Sequence, residues 1–341
     1  QPASPRHPAR HARMEHLDLL VLGSGPAGQR AAIQAAKLGR NVGLVERNTA
    51  IGGACLHTGT IPSKTLREAV LYLTGWRQRG FYGRSYRLKE RITAGDLVQR
   101  LDITIRHEIE ILQHKLYRNR VASIVGEGRF IDPTHVRVRM YDDTERDYCA
   151  GRIVISTGTT PAHPPGIPFD GERVLDSDQI LGLKQLPRSL VIVGAGVIGV
   201  EYASIFNALD IEVTLIDTRP TMLEFLDREI TDEFTHHLRD RGMNIRLGEK
   251  VLSIDNSGPT VKVQLESGKQ VRSEMALVTA GRQGATANLD LAAAGLTADE
   301  RGRIPVNDDF RTAVPHIYAV GDVIGFPSLA STSMEQGRIA A

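Results

Sequence analysis

The sequence predicts an α/β fold built on parallel, doubly wound sheets, and three observations predict it. A glycine turn sits between an apolar run and a helix rich in small residues. The same arrangement recurs 171 residues later without a gap. Each copy ends in a second apolar run closed by an acid. Residues 19–46 read LLVLGSGPAGQRAAIQAAKLGRNVGLVE, and residues 190–217 read LVIVGAGVIGVEYASIFNALDIEVTLID. Gly23, Gly25 and Gly28 fall on Gly194, Gly196 and Gly199, and Glu46 falls on Asp217.

Each copy is a βαβ unit of a Rossmann-like dinucleotide-binding fold, where buried parallel strands appear as continuous apolar runs. The first glycine permits a tight turn and the second lets backbone approach a pyrophosphate. The third lets the helix pack close to the strand. The helix start, with Val197 and Ile198 in the second copy, offers free N–H groups and a positive dipole end to phosphates. The acid about 20 residues on accepts from a ribose diol. One such turn is weak support, and two in register are strong.

Between the copies, residues 62–75 and 96–118 carry helical spacing, and residues 120–156 look like strands separated by turns. A Pro-rich joint at 161–168 marks a boundary. Residues 243–280 are again strand-like, and a helix begins near 332. The expected organisation is a tail over 1–13, a first nucleotide-binding domain over 14–160, a second over 161–283, and a return to the first over 284–341.

Bulk properties narrow the function. Lys plus Arg is 42 against 40 for Asp plus Glu, a net charge of +2 with no basic block, which argues against nucleic-acid binding. No apolar run approaches the roughly 18 residues that cross a bilayer. Two cysteines, Cys55 and Cys149, make no disulfide framework, so a reducing cytoplasm is expected. The Arg- and Pro-rich first 13 residues lack the apolar stretch of a secretory signal.

Six motifs, in order, resemble the pyridine nucleotide–disulfide oxidoreductase family: GSGPAG at 23–28, IGGACLHTGTIPSK at 51–64, STGTTP at 156–161, GAGVIG at 194–199, AGR at 280–282, and TAVPHIYAVGD at 312–322. The resemblance implies FAD at the first turn and a nicotinamide nucleotide, NAD or NADP, at the second. It implies FAD contacts from Gly23, Gly25, Gly28, Glu46, Arg47, Gly52, Gly53, Cys55, Lys64, Gly128, Thr157, Gly158, Asp322, Leu329 and Ala330. Gly194, Gly196, Val197, Ile198, Gly199, Glu201, Asp217, Arg219, Val251 and Gly281 would hold the nicotinamide nucleotide. Lys64, paired with Glu201, would be the catalytic pair beside the flavin N5 edge, where a cation stabilises charge on reduced flavin. Relatives also carry a C-terminal domain that makes a homodimer, which this chain is expected to lack.

One departure decides the expected reaction. Disulfide reductases of the family carry two cysteines five residues apart, and here Cys55 is followed at that spacing by Thr60. Threonine has no accessible redox chemistry, so Cys55 is expected to be a small buried packing residue. Cys149 is expected to precede a strand and belongs to no motif. Electrons then leave from the flavin itself, as in the branch of the family that passes hydride from NADPH through FAD to NAD and has Thr at this position. LDSDQIL at 175–181, FLDREI at 225–230 and GDVIGFPSLASTSMEQGRIAA at 321–341 are similar to that branch. An oxidase or quinone reductase is the alternative, and a lipoamide dehydrogenase-like reductase a weaker one. Asp217 suits the 2′-hydroxyl of NAD, and Arg219 could instead meet the 2′-phosphate of NADP.

Overall fold

The computed structural model describes residues 15–83 and 86–341; the expected tail over 1–13 lies outside the described residues. The chain forms two compact units. One comprises residues up to 53, 109–159 and 283–341, the other residues 54–108 and 160–282. Among the described residues, no helix is long and apolar enough to cross a membrane.

The first unit is built on a parallel sheet with strands in the order Ala122–Phe130, Val42–Glu46, Glu15–Leu22, Glu145–Ile155, Ile317–Ala319. The far halves of Ala122–Phe130 and Glu145–Ile155 run on past it and sandwich His135–Met140 in an antiparallel meander. Leu20, Val21, Val154 and Ile155 are fully buried because both sheet faces are covered, which is why these strands read as unbroken apolar runs. Cys149 lies inside Glu145–Ile155, opposite His135, and does not precede the strand as the sequence suggested. The long strand starts early because its first residues pair with the meander as well as with the parallel sheet.

Helix Pro26–Lys37 covers one face. Pro26 is tolerated at its first turn, where an N–H would have no helical partner, and Ala27, Ala31, Ala32 and Ala35 form its buried stripe. Small residues on both sides let helix Ala330–Ala340 pack against it. A Cβ on Gly337 would lie 2.1 Å from the Ala27 carbonyl oxygen, so only glycine allows the approach.

The second unit repeats the plan, with parallel strands in the order Asn244–Leu247, Glu212–Asp217, Ser189–Val193, Met275–Val278, Val174–Asp176. A separate antiparallel sheet, Val251–Asp255, Val261–Leu265 and Gln270–Ser273, buries Val261, Val263 and Leu265 against it. Helix Val197–Ala208 is apolar almost all round and sits in the core.

Residues 54–108, which the sequence reading assigned to the first domain, group with this second unit. Leu66, Ala69 and Val70 of helix Thr60–Leu73 share a core with Tyr202, Ala203 and Phe206. Helix Ala94–Arg118 belongs to both units: Leu97 and Leu101 enter this core, and Leu112 and Leu116 enter that of the first.

Candidate nucleotide-binding cradles

In the first unit the turn after Glu15–Leu22 is tight enough to exclude any side chain. Gly23 has φ +102°, and a Cβ there would lie 2.5 Å from the Ser156 carbonyl oxygen. A Cβ on Gly28 would lie 1.9 Å from the Gly23 oxygen. Gly53, at φ +63°, brings its segment to within 2.6 Å of the Gly25 Cα by the same measure. The Gly52 N–H donates to Ser24 Oγ at 2.9 Å. The sequence-expected glycines 23, 25, 28, 52 and 53 therefore form one backbone surface at the start of a helix.

Glu46 closes this cradle at the end of the neighbouring strand. Its carboxylate, almost fully buried, accepts from Ser24 N at 3.1 Å, Ser24 Oγ at 2.6 Å and Asn48 N at 2.9 Å. Arg47 points outward, and its carbonyl accepts from Tyr141 Oη at 2.9 Å. Gly128 is set among Leu22, Val45 and Val136, where a Cβ would meet each at 3.4–3.6 Å. Gly158, at φ +68°, faces open space, and the buried Thr157 Oγ1 has no hydrogen-bond partner. Asp322 accepts from Ser333 Oγ at 3.3 Å, and the Gly321 N–H donates to Gln336 at 2.8 Å. Leu329, exposed, and Ala330 begin the final helix.

The second unit repeats the turn. Gly194 has φ +110° and would place a Cβ 2.5 Å from the Thr279 oxygen; a Cβ on Gly199 would lie 1.9 Å from the Gly194 oxygen. Val197 is exposed at the helix start. Asp217, with its side chain 5% exposed, accepts from Ala195 N at 2.5 Å and from Arg219 through N at 2.8 Å, Nε at 3.0 Å and Nη2 at 2.7 Å. Burial alone would raise this carboxyl, but the Arg219 and Ala195 hydrogen bonds outweigh it and hold it below its ordinary value. The side-chain hydrogen bonds to Asp217 push the Arg219 guanidinium up. The Gly248 N–H donates to the Arg219 carbonyl and Glu249 N–H to that of Asp217, and Val251 follows as the first residue of strand Val251–Asp255. Gly281, at φ +91°, accepts from Ala162 N–H and faces open space.

Sequence reasoning missed a hydroxyl clasp in each cradle. Ser156 Oγ lies 3.0 Å from the Leu22 oxygen and 2.9 Å from that of Gly23. Thr279 Oγ1 lies 3.0 Å from both the Val193 and Gly194 oxygens. Both residues open the short motifs STG and TAG at the ends of matching strands, which was the available signal.

Also in the second unit, Lys64 Nζ donates to Glu201 Oε1; the two side chains are 60% and 18% exposed. The pair joins helices Thr60–Leu73 and Val197–Ala208, which pack together, so an ion pair forms between residues 137 apart. Thr60 is the first residue of its helix and exposed. Cys55 and Cys149 are both thiols, and Cys55, expected to be a small buried packing residue, is half-buried.

Two glycine cradles of one design, each closed by a buried acid, mark a scaffold of two dinucleotide-binding folds. The chain belongs to the pyridine nucleotide-disulphide oxidoreductase family, whose model matches residues 17–337. It is 55% identical over 329 residues to a soluble pyridine nucleotide transhydrogenase of Mycobacterium bovis, covering 96% of this chain and 70% of that protein. Identity to the soluble pyridine nucleotide transhydrogenase of Photobacterium profundum is 43% over 332 residues, covering 97% of this chain and 71% of that one. Among solved structures, an HOCl-induced flavoprotein disulfide reductase of Escherichia coli, in a Cu(II) complex, is similar at 31% identity with a TM-score of 0.85, covering 96% of this chain and 70% of that one.

Proposed function

We propose that this chain is a FAD-dependent pyridine nucleotide transhydrogenase that moves hydride from NADPH to NAD without a redox-active disulfide. The observation that carries the reading is Thr60, which stands where disulfide reductases of the family have their second cysteine. The names of the 55% and 43% identical relatives support it.

The first cradle suits FAD. The Gly23–Gly28 turn leaves no room for side chains, Thr157 keeps a buried hydroxyl without a partner, and Glu46 retains acceptor capacity for a ribose. Backbone N–H groups from Gly25 onward would meet the pyrophosphate, and Asp322 would accept from ribityl hydroxyls. When bound, FAD supplies the hydride carrier between two nicotinamides. The second cradle, with Gly194, Gly196, Gly199 and Asp217, would take donor and acceptor in turn. Lys64 would supply the cation that stabilises charge on the reduced ring, and Glu201 would hold that ammonium in place. The hydroxyl of Thr60 offers no dithiol exit for electrons, so they would leave from the flavin itself, and in this reading the next nucleotide accepts them.

Anaerobic mixing with NADPH should bleach the yellow protein, and NAD added afterwards should restore the colour with one NADH formed per flavin. Recovery only on admitting air or a quinone would replace this reading with an oxidase or quinone reductase.

A further inference from the structure

The two repeat copies treat their acids differently at equivalent positions. Glu46 accepts three donors, namely Ser24 N, Ser24 Oγ and Asn48 N. Asp217 accepts four: Ala195 N and the N, Nε and Nη2 of Arg219. A carboxylate offers about four acceptor sites. Glu46 therefore has one to spare, and Asp217 has none. The difference traces to two substitutions across the repeat. Ser24 corresponds to Ala195, which has no hydroxyl to give, and Asn48 corresponds to Arg219, whose fork takes the oxygens left over.

The guanidinium is well placed to meet a ligand while it does so. A Cβ on Gly196 would lie 3.8 Å from Arg219 Nη2, so the fork stands beside the glycine turn. Its side chain is 40% exposed against 5% for Asp217, so one edge of the fork faces the acid and the other faces out. Of five guanidinium N–H groups, Asp217 takes two, which leaves about three for another acceptor. Glu224 adds a further negative field at the same guanidinium.

We propose that Arg219 is an internal competitor for the ribose site of the second cradle. Closed on Asp217, it withholds the acid from a 2′-hydroxyl, so NAD must split the ion pair to use that acid. Its outward N–H groups receive a 2′-phosphate while the pair stays closed, so NADP binds without that cost. One side chain thus lowers NAD affinity and raises NADP affinity, which brings two nucleotides of different charge into a common working range. The inference rests on the reading of this cradle as the nicotinamide-nucleotide site.

Calorimetric titration of the full FAD-loaded protein with AMP and with 2′,5′-ADP isolates the 2′-phosphate and involves no hydride transfer. Arg219→Ala should weaken 2′,5′-ADP by at least about tenfold, the loss of a charge-assisted phosphate contact, and tighten AMP severalfold. Arg219→Gln keeps an amide donor for the buried Asp217, and it should show the same loss for 2′,5′-ADP with a smaller gain for AMP. Retained flavin absorbance reports that each variant is folded. AMP binding that weakens or stays unchanged in both variants would overturn the proposal. A protein that fails to pass hydride from NADPH to NAD, yet whose two isotherms still move apart, would overturn the transhydrogenase reading and leave this one standing.

Discussion

The two cradles share a backbone and differ in what neutralises the acid. In the first, a serine hydroxyl and two amides hold Glu46, all of them fixed parts of the fold. In the second, two amides and the two-pronged fork of a long, rotatable cationic side chain share that work for Asp217 equally. A site held by fixed neutral donors suits a ligand that stays, as FAD would. A site held by a movable cation suits ligands that come and go, as nicotinamide nucleotides must. The contrast lives in two residues of each 28-residue copy and its flank, not in the fold.

The largest effects should come from the glycines that set each turn. Gly28→Ala and Gly199→Ala each drive a Cβ to 1.9 Å from a backbone oxygen. On the proposed roles, Gly28→Ala should purify colourless. Gly199→Ala should stay yellow while its bleaching by NADPH needs roughly a hundredfold more nucleotide, about 2.8 kcal/mol. If both variants lost flavin equally, the division of labour between the cradles would be wrong.

The hydroxyl clasps sharpen the same division with a smaller change. Removing one hydrogen bond costs about 1 kcal/mol, near fivefold in affinity. Ser156→Ala should therefore speed flavin loss on dilution and leave AMP binding alone. Thr279→Ala should do the reverse, and Thr279→Ser should recover most of it.

The smallest effect concerns acid stability of the second unit alone. Burial would raise the Asp170 carboxyl, but hydrogen bonds from the Val174, Glu172 and Arg173 amides and from Asn256 bring it from 3.8 to about 2. A depressed carboxyl stabilises the fold above its ordinary value and loses that contribution as pH falls towards about 2. Thermal unfolding followed from pH 5 to pH 2 should show a steeper decline in the parent protein than in Asp170→Asn. Parallel curves would show that Asp170 contributes nothing there.

Much of this was legible in the chain itself, because the βαβ repeat is a local pattern. Strand, turn, helix and acid all fall within 28 consecutive residues, and their register fixes Gly23 against Gly194 and Glu46 against Asp217. The clasps were legible only as the STG and TAG motifs, since Ser156 meets Gly23 from 133 residues away and the motif does not say what its hydroxyl meets. The grouping of residues 54–108 with the second unit was hidden for a similar reason. Helix Thr60–Leu73 has an apolar face, but sequence does not say which sheet's helices it meets. Arg219 was visible as a charge near Asp217. Its closure upon that acid depends on Ala195 lacking a hydroxyl, a difference of one atom across the repeat.

The central claim, that Thr60 leaves flavin as the sole redox centre, is tested most directly by anaerobic titration with dithionite. The account predicts that full reduction takes two electrons per FAD, with no long-wavelength thiolate-to-flavin band at the halfway point. Uptake of four electrons, with that band appearing after the first two, would reveal a second redox group and contradict it.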